Sequence, residues 1–381
     1  MDGTNKFRIL IYSDHFYPSI GGSENYAMDL AKELSRQGHT VGLITAEQST
    51  ESDHFPFQVY RFEKALSIHR INFNFLEIPQ VIKRFNPDIF HISYQTGGEN
   101  FLIPLIKAMK ISIILTYHAD HVVTLGRMID EMQMISTFKL VDMILVQSKR
   151  DMKKMMGRGI SKDIIRLENF NGIDMIKYKC DLDPSNNIGT RLNLVCIARL
   201  DDSHRYKGID RLIETALEAR YLFDSNQIIL NIIGEGNLRV KYEKILKRNN
   251  LPNLNFLGQL SDKDLVKTLC SSDFLMLSST DKAEGFGRVA VEAMACGIPV
   301  IVSKYAGVSE LIEKYNSGFV YDPYGKVNVF QIALNLRKSY SYILSIIQEG
   351  RLMISSEGLS LDCAVERTVN YYKEMIRNGK A

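Results

Sequence analysis

The stretch "EGFGRVAVEAMACGIPVIVS", residues 284–303, sets two glutamates on either side of a loop-to-helix junction. Glu284 stands in a glycine loop and Glu292 on the helix that follows. An ionised carboxylate only accepts hydrogen bonds, so it suits the vicinal hydroxyls of sugars and ribose. The amides of Phe286, Gly287 and Arg288, with Val289 next, fall at the expected helix start, where N–H groups favour an anion or a hydroxyl-rich ligand. Glu292 has a second reading, as a structural carboxylate buried or lying on the helix surface.

Other loops behind apolar runs carry further chemistry. In "ARLDDSHRYKGIDRLI", Arg199 ends a strand-like run and Lys207 precedes Gly208, with Arg205 between them. Charge-assisted hydrogen bonds of about 1.5–3 kcal/mol each exceed the roughly 0.3–1 kcal/mol of a helix dipole, so such cations would dominate the grip on a diphosphate. The alternative is a solvated basic loop. "SDHFYPSIGGSENY" places Gly21 and Gly22 before a helix, either as a plain turn or as a close approach for an anionic ligand. His118 in "TYHADH" ends another run, as a ligand contact or as a satisfied structural histidine. "IIGEGN" holds Gly234 and Gly236 but lacks a third glycine in register, and no G-x-x-x-x-G-K-[ST] loop occurs.

These residues need a scaffold that gathers loop ends. Short apolar runs alternate with amphipathic stretches along the whole chain, the pattern of parallel strands and crossover helices. "FRILIYS", "TVGLITA", "DIFHIS", "ISIILTYH" and "DMILVQS" read as strands of a first half. "LNLVCIARL", "QIILNIIG", "LNFLG", "DFLMLSS", "IPVIVS" and "GFVY" read as strands of a second. Between the first two runs, "SENYAMDLAKELSRQG" is a helix that Ser23 can cap and Gly38 stops. The expected architecture is α/β, with two doubly wound domains at 1–180 and 191–381, a polar linker over 181–190, and a terminal helix at about 361–378. "DLD" at Asp181–Asp183 falls in that linker and reads as hinge polarity rather than a metal site.

A net charge of +3 over 381 residues gives no sign of a nucleic-acid partner. Five scattered cysteines, without a C-x-x-C pair, fit reduced buried thiols in the cytosol. No run is long enough for a signal peptide or membrane span. The basic segment 147–166, "QSKRDMKKMMGRGISKDIIR", is either an exposed helix with packing methionines or a peripheral contact with an anionic membrane.

Taken together, these motifs resemble the retaining, nucleotide-sugar-dependent glycosyltransferases of the GT-B fold, glycosyltransferase family 4. The resemblance rests on "EGFGRVAVEAMACGIPVIVSKYAGVSELI" with its paired glutamates, "ARL…RYKG", "FYPSIGGSE", "TYH" and "NGID" at Asn171–Asp174. It implies two Rossmann-like domains facing each other across a cleft, the first on the acceptor side and the second on the donor side. It also implies that Arg199 and Lys207 hold the donor diphosphate, that Glu284 with the Phe286 and Gly287 amides holds the donor sugar, and that Glu292 holds the ribose. His118 would contact the sugar near its reacting carbon, the Gly21–Gly22 loop would close over the phosphates, and Leu260 would lie beside the nucleobase. Arg205, Gly234, Arg288 and Val289 complete the implied donor set. Arg288 stands where an apolar residue is usual in that family, adding a cation at the phosphate end. No metal or other cofactor is implied, because fixed cations and amides would stabilise the departing phosphate.

Rival readings differ in what they require. A dinucleotide-dependent oxidoreductase needs a full glycine fingerprint and an acidic ribose partner, and neither is present. A non-catalytic sugar-nucleotide-binding protein would be expected to have lost Glu284 or the Arg/Lys pair. A hydrolase or epimerase on the same fold remains the nearest competitor.

Overall fold

The structure is a computed structural model that describes residues 6–19, 21–48, 54–62, 77–94, 99–118, 136–180 and 191–379. The chain divides into two compact units, one of Met1–Gly172 with Leu361–Ala381 and the other of Ile173–Ser360.

The strands of unit 1 are β1 (Arg8–Ser13), β2 (Thr40–Thr45), β3 (Gln58–Arg61), β4 (Ile89–Tyr94), β5 (Ser112–Tyr117), β6 (Met143–Val146) and β7 (Ile165–Leu167). They pair in parallel in the order β3-β2-β1-β4-β5-β6-β7. Unit 2 repeats the plan with β8 (Leu192–Ile197), β9 (Ile228–Ile233), β10 (Leu254–Gly258), β11 (Phe274–Leu277), β12 (Val300–Ser303) and β13 (Phe319–Tyr321). Its order is β10-β9-β8-β11-β12-β13, again parallel.

Central strands such as β11 and β12 are buried along their whole length, because helices cover both faces of a parallel sheet. Side-chain alternation still divides them between two cores. Leu192, Leu194 and Cys196 enter one apolar cluster and Val195 the other. In both sheets the strand order reverses direction beside the first strand, between β1 and β4 and between β8 and β11. Loops after two such neighbours run to opposite sides of the sheet and leave a crevice between them.

Three expectations change. The terminal helix forms at Leu361–Gly379 but belongs to unit 1, not to the second domain. Val365, Val369, Tyr372 and Met375, three or four apart, make one apolar stripe and bury it against Phe7, Tyr26, Ala27, Leu30 and Leu34. Arg367 with Glu168 at 2.5 Å and Arg166 with Glu374 at 2.8 Å tie down the polar edge of the same helix.

The first domain also ends earlier than 180. Ile173–Cys180 packs into unit 2, where the Ile173 amide donates to the Leu359 carbonyl at 2.8 Å and Lys177 pairs with Asp262 at 2.9 Å. The expected linker at 181–190, with its "DLD", lies outside the described residues. Finally, the cysteines are not all thiols. Cys180 and Cys270 are disulfide-bonded, while Cys196 and Cys296 are buried and Cys363 is exposed. Ninety residues separate the bonded pair, so only the packing of Ile173–Cys180 onto unit 2 brings them together.

Candidate functional site

The loops after β8 and β11 leave the sheet at the reversal point of unit 2 and carry most of the chemistry. After β8 the chain runs through Arg199 into a short 3-10 turn, Asp202–Lys207, closed by Gly208 in the left-handed region at φ 73°. A Cβ at Gly208 would stand 2.0 Å from the Ser278 carbonyl oxygen, so only glycine permits this contact. That approach lets the Ser278 hydroxyl donate to the Lys207 carbonyl at 2.8 Å.

The Lys207 ammonium thereby meets the second loop. It donates to both Glu284 carboxylate oxygens, at 2.9 and 2.8 Å, and the buried Ser279 hydroxyl donates to the same carboxylate at 2.8 Å. Glu284 is only 6% exposed and the lysine side chain 19%, so this ion pair is largely shielded from water. Burial works against the charged ammonium. The Glu284 carboxylate, with a contribution from Tyr206, outweighs that cost and raises the lysine above its ordinary value.

Downstream, Gly287 caps the helix Arg288–Ala295 from the left-handed region, at φ 87°. The loop before it is fixed by hydrogen bonds from the Gly307 and Val308 amides to the Gly285 and Phe286 carbonyls, at 2.8 and 2.7 Å. Phe286 is buried, whereas Val289 is half-buried. On this helix Arg288 donates to Glu292 at 3.0 Å, one turn apart and almost wholly buried. Buried Tyr178 also lies against Glu292. Burial and that neighbouring carboxylate, to which it hydrogen-bonds, push the phenol well up. The expected extra cation therefore faces Glu292.

The other donor-side residues are less tightly joined. Arg199, about half exposed, approaches Asp201 at 3.3 Å. Arg205 is held by Asp202 at 2.8 Å and Asp210 at 3.1 Å, apart from the Lys207–Glu284 cluster. Gly234 follows β9, its amide bonded to the Gly258 carbonyl at 2.9 Å. Leu260 lies between β10 and the helix Asp262–Cys270, half-buried.

In unit 1, Gly21 caps the helix Gly22–Arg36 in an extended conformation. The cap is this glycine rather than the expected Ser23, whose hydroxyl instead donates to Glu24 at 2.9 Å. Gly38 stops the helix as expected, at φ 84°. His118 follows β5 and packs edge-on between Tyr26 and Phe170, with ring centroids at 5.0 and 5.1 Å. The basic segment forms the helix Lys149–Gly157, capped by Ser148 accepting from the Asp151 amide at 3.0 Å. Met152 and Met155 turn into the core, which favours ordinary packing there. Among the described residues no helix is long and apolar enough to cross a membrane.

Two partners escaped the sequence reading. Ser279 follows a strand end and could have been found from that position alone. Tyr178 could not, because the expected boundary at 180 puts it in the first domain, away from Glu292.

The sequence profile described as Glycosyltransferase Family 4 matches residues 20–174, and that described as Glycosyl transferases group 1 matches 182–338. N-acetyl-alpha-D-glucosaminyl L-malate synthase of Bacillus anthracis is 21% identical over 392 residues, covering 96% of this chain and 97% of that protein. A GDP-mannose-dependent alpha-mannosyltransferase of Mycobacterium tuberculosis is 22% identical, covering 82% and 83%. Among solved structures, sucrose-phosphate synthase of Thermosynechococcus elongatus superposes with a TM-score of 0.79 at 18% identity, covering 97% of this chain and 99% of that one. Anabaena HepE, solved in complex with UDP, gives 0.75 at 18% identity, covering 96% and 99%. With both sheets wound in the GT-B manner and both halves matched in sequence, the chain belongs to the group 1, family 4 glycosyltransferases.

Proposed function

We propose that this glycosyltransferase moves a sugar from a nucleoside-diphosphate donor to an acceptor hydroxyl with retention of configuration, without a metal, in the assembly of a cell-surface polysaccharide, glycolipid or other glycoconjugate. The observation that carries the reading is the Lys207–Ser279–Glu284 cluster at the strand reversal of unit 2. A strand reversal is where open α/β sheets bind their ligands.

Transfer builds negative charge on the departing phosphate and positive charge at the anomeric carbon. A preorganised ammonium stabilises the first without reorganising during reaction. Lysine has three donors, and Glu284 takes up one side of the group, so a donor phosphate would be met from the other side. Glu284 would in turn accept hydrogen bonds from sugar hydroxyls. The leaving phosphate itself would take the acceptor proton, so no protein nucleophile is needed. Glu292, oriented by Arg288, would take the ribose hydroxyls.

The test is incubation with UDP-, GDP- and ADP-sugars plus acceptor extracts, in EDTA, with the product's anomeric configuration read by NMR. A retained product formed at full rate is expected. An inverted product would remove the retaining assignment, and loss of turnover in EDTA would remove metal independence. Release of free sugar or an epimer alone would favour the hydrolase or epimerase reading.

A further inference from the structure

Three cysteines of unit 2 arrive at one point from three separate elements. Cys270 ends the helix Asp262–Cys270, Cys296 caps the C-terminus of Arg288–Ala295, and Cys180 closes the segment that packs onto the unit from Ile173. Their sulfur atoms all lie within 4.8 Å of one another, inside a single apolar cluster. A cross-link uses two sulfurs. The third, on Cys296, is brought to the same place although the Cys180–Cys270 bond does not use it.

We propose that reduction of the Cys180–Cys270 bond turns this trio into a binding site for a thiophilic divalent cation of the zinc type. Zinc–thiolate bonds of about 2.3 Å set tetrahedral ligand sulfurs roughly 3.8 Å apart, which a trio gathered this closely reaches by small side-chain movements. Two equivalents of a small thiol reductant convert the disulfide to two thiols and leave as their own disulfide. The cation then forms three metal–sulfur bonds and displaces three protons, with water in the fourth position. Harder ions such as magnesium prefer oxygen donors and are not expected here. The site lies at the end of the helix Arg288–Ala295 opposite Gly287, one turn beyond Glu292, and the cation would hold structure rather than touch the reacting sugar. It would keep Ile173–Cys180 fastened to unit 2 under reducing conditions, as the disulfide does under oxidising ones.

The test uses the full chain, reduced with a phosphine, freed of metal by chelation and titrated anaerobically with Cd2+ and Zn2+. Uptake of one ion per chain is expected, with an ultraviolet thiolate-to-metal charge-transfer band for Cd2+ and a raised melting temperature with Zn2+. Cys296→Ala should weaken binding by more than the roughly ten- to hundredfold that losing an outer-shell partner costs. Cys180→Ala provides the same test should the first variant not fold, and Cys363→Ala should bind normally. Absence of the band, its persistence in Cys296→Ala, or equal uptake by the oxidised chain would overturn the site. So would a reduced chain that takes no metal and, once returned to air as the oxidant, forms a disulfide through Cys296. None of these readings depends on which sugar is transferred.

Discussion

The two units share the order of their first six strands yet differ in the polar clusters at their centres. Unit 2 buries an ion pair, Lys207 with Glu284, held between loops 77 residues apart. Unit 1 buries a neutral cluster in which His91 reaches the Tyr372 hydroxyl at 2.6 Å and the Thr116 hydroxyl at 2.5 Å. Burial, with His118 nearby, pushes His91 down to about 3, so it stays uncharged. The neutral cluster fastens the returning C-terminal helix to the sheet. The charged one lies where loops diverge and a ligand can be admitted. One architecture thus supports an anchor in one half and a charged site in the other, according to whether the polar groups lie under the sheet or beyond its strand ends.

The largest expected effect falls on the charged cluster. Lys207→Ala should lower turnover by about a hundred- to a thousandfold, the cost of losing one transition-state donor. It should also cost roughly 3–5 kcal/mol of stability, because a buried carboxylate is left without its cation. Pairing it with Glu284→Gln should return most of the stability and none of the activity, as urea denaturation and turnover assays would show. Near-normal transfer by the single variant would erase the contrast between the units.

The neutral cluster should show itself through pH. A histidine whose folded value lies below its unfolded one, about 6.5, stabilises the fold fully above that value. Stability should therefore fall as the pH drops from about 6.5 toward 3, with a slope approaching roughly 1.4 kcal/mol per pH unit from this group. His91→Gln should flatten that dependence in melts recorded across the range. An unchanged slope would show that His91 is not held neutral.

The smallest effect sharpens the boundary of the site. Arg205 pairs with Asp202 and Asp210 near the surface, so Arg205→Ala should cost less than about 1 kcal/mol and leave donor affinity nearly unchanged. A collapse of donor affinity in calorimetry would move Arg205 into the diphosphate grip.

Much of the fold was legible because buried parallel strands are continuous apolar runs. "FLML" and "VIVS" read as strands and are fully buried strands. The short strands β3 and β7 were not anticipated. They close the two edges of sheet 1, where half-exposed residues such as those of "QVYR" carry no sustained apolar signal. In the candidate site, Glu284 and Lys207 were visible as chemistry, whereas their direct pairing was not.

From its order of residues alone, the chain determined what is local: where strands run, where a glycine such as Gly38 ends a helix, and which loops carry charge. Periodicity and backbone sterics act over a few residues, so they are written in neighbouring positions. Folding in three dimensions decided the rest. It carried the last helix back to unit 1, laid Tyr178 against Glu292 and gathered three distant cysteines. Those contacts depend on which surfaces bury one another, and no spacing along the chain records that.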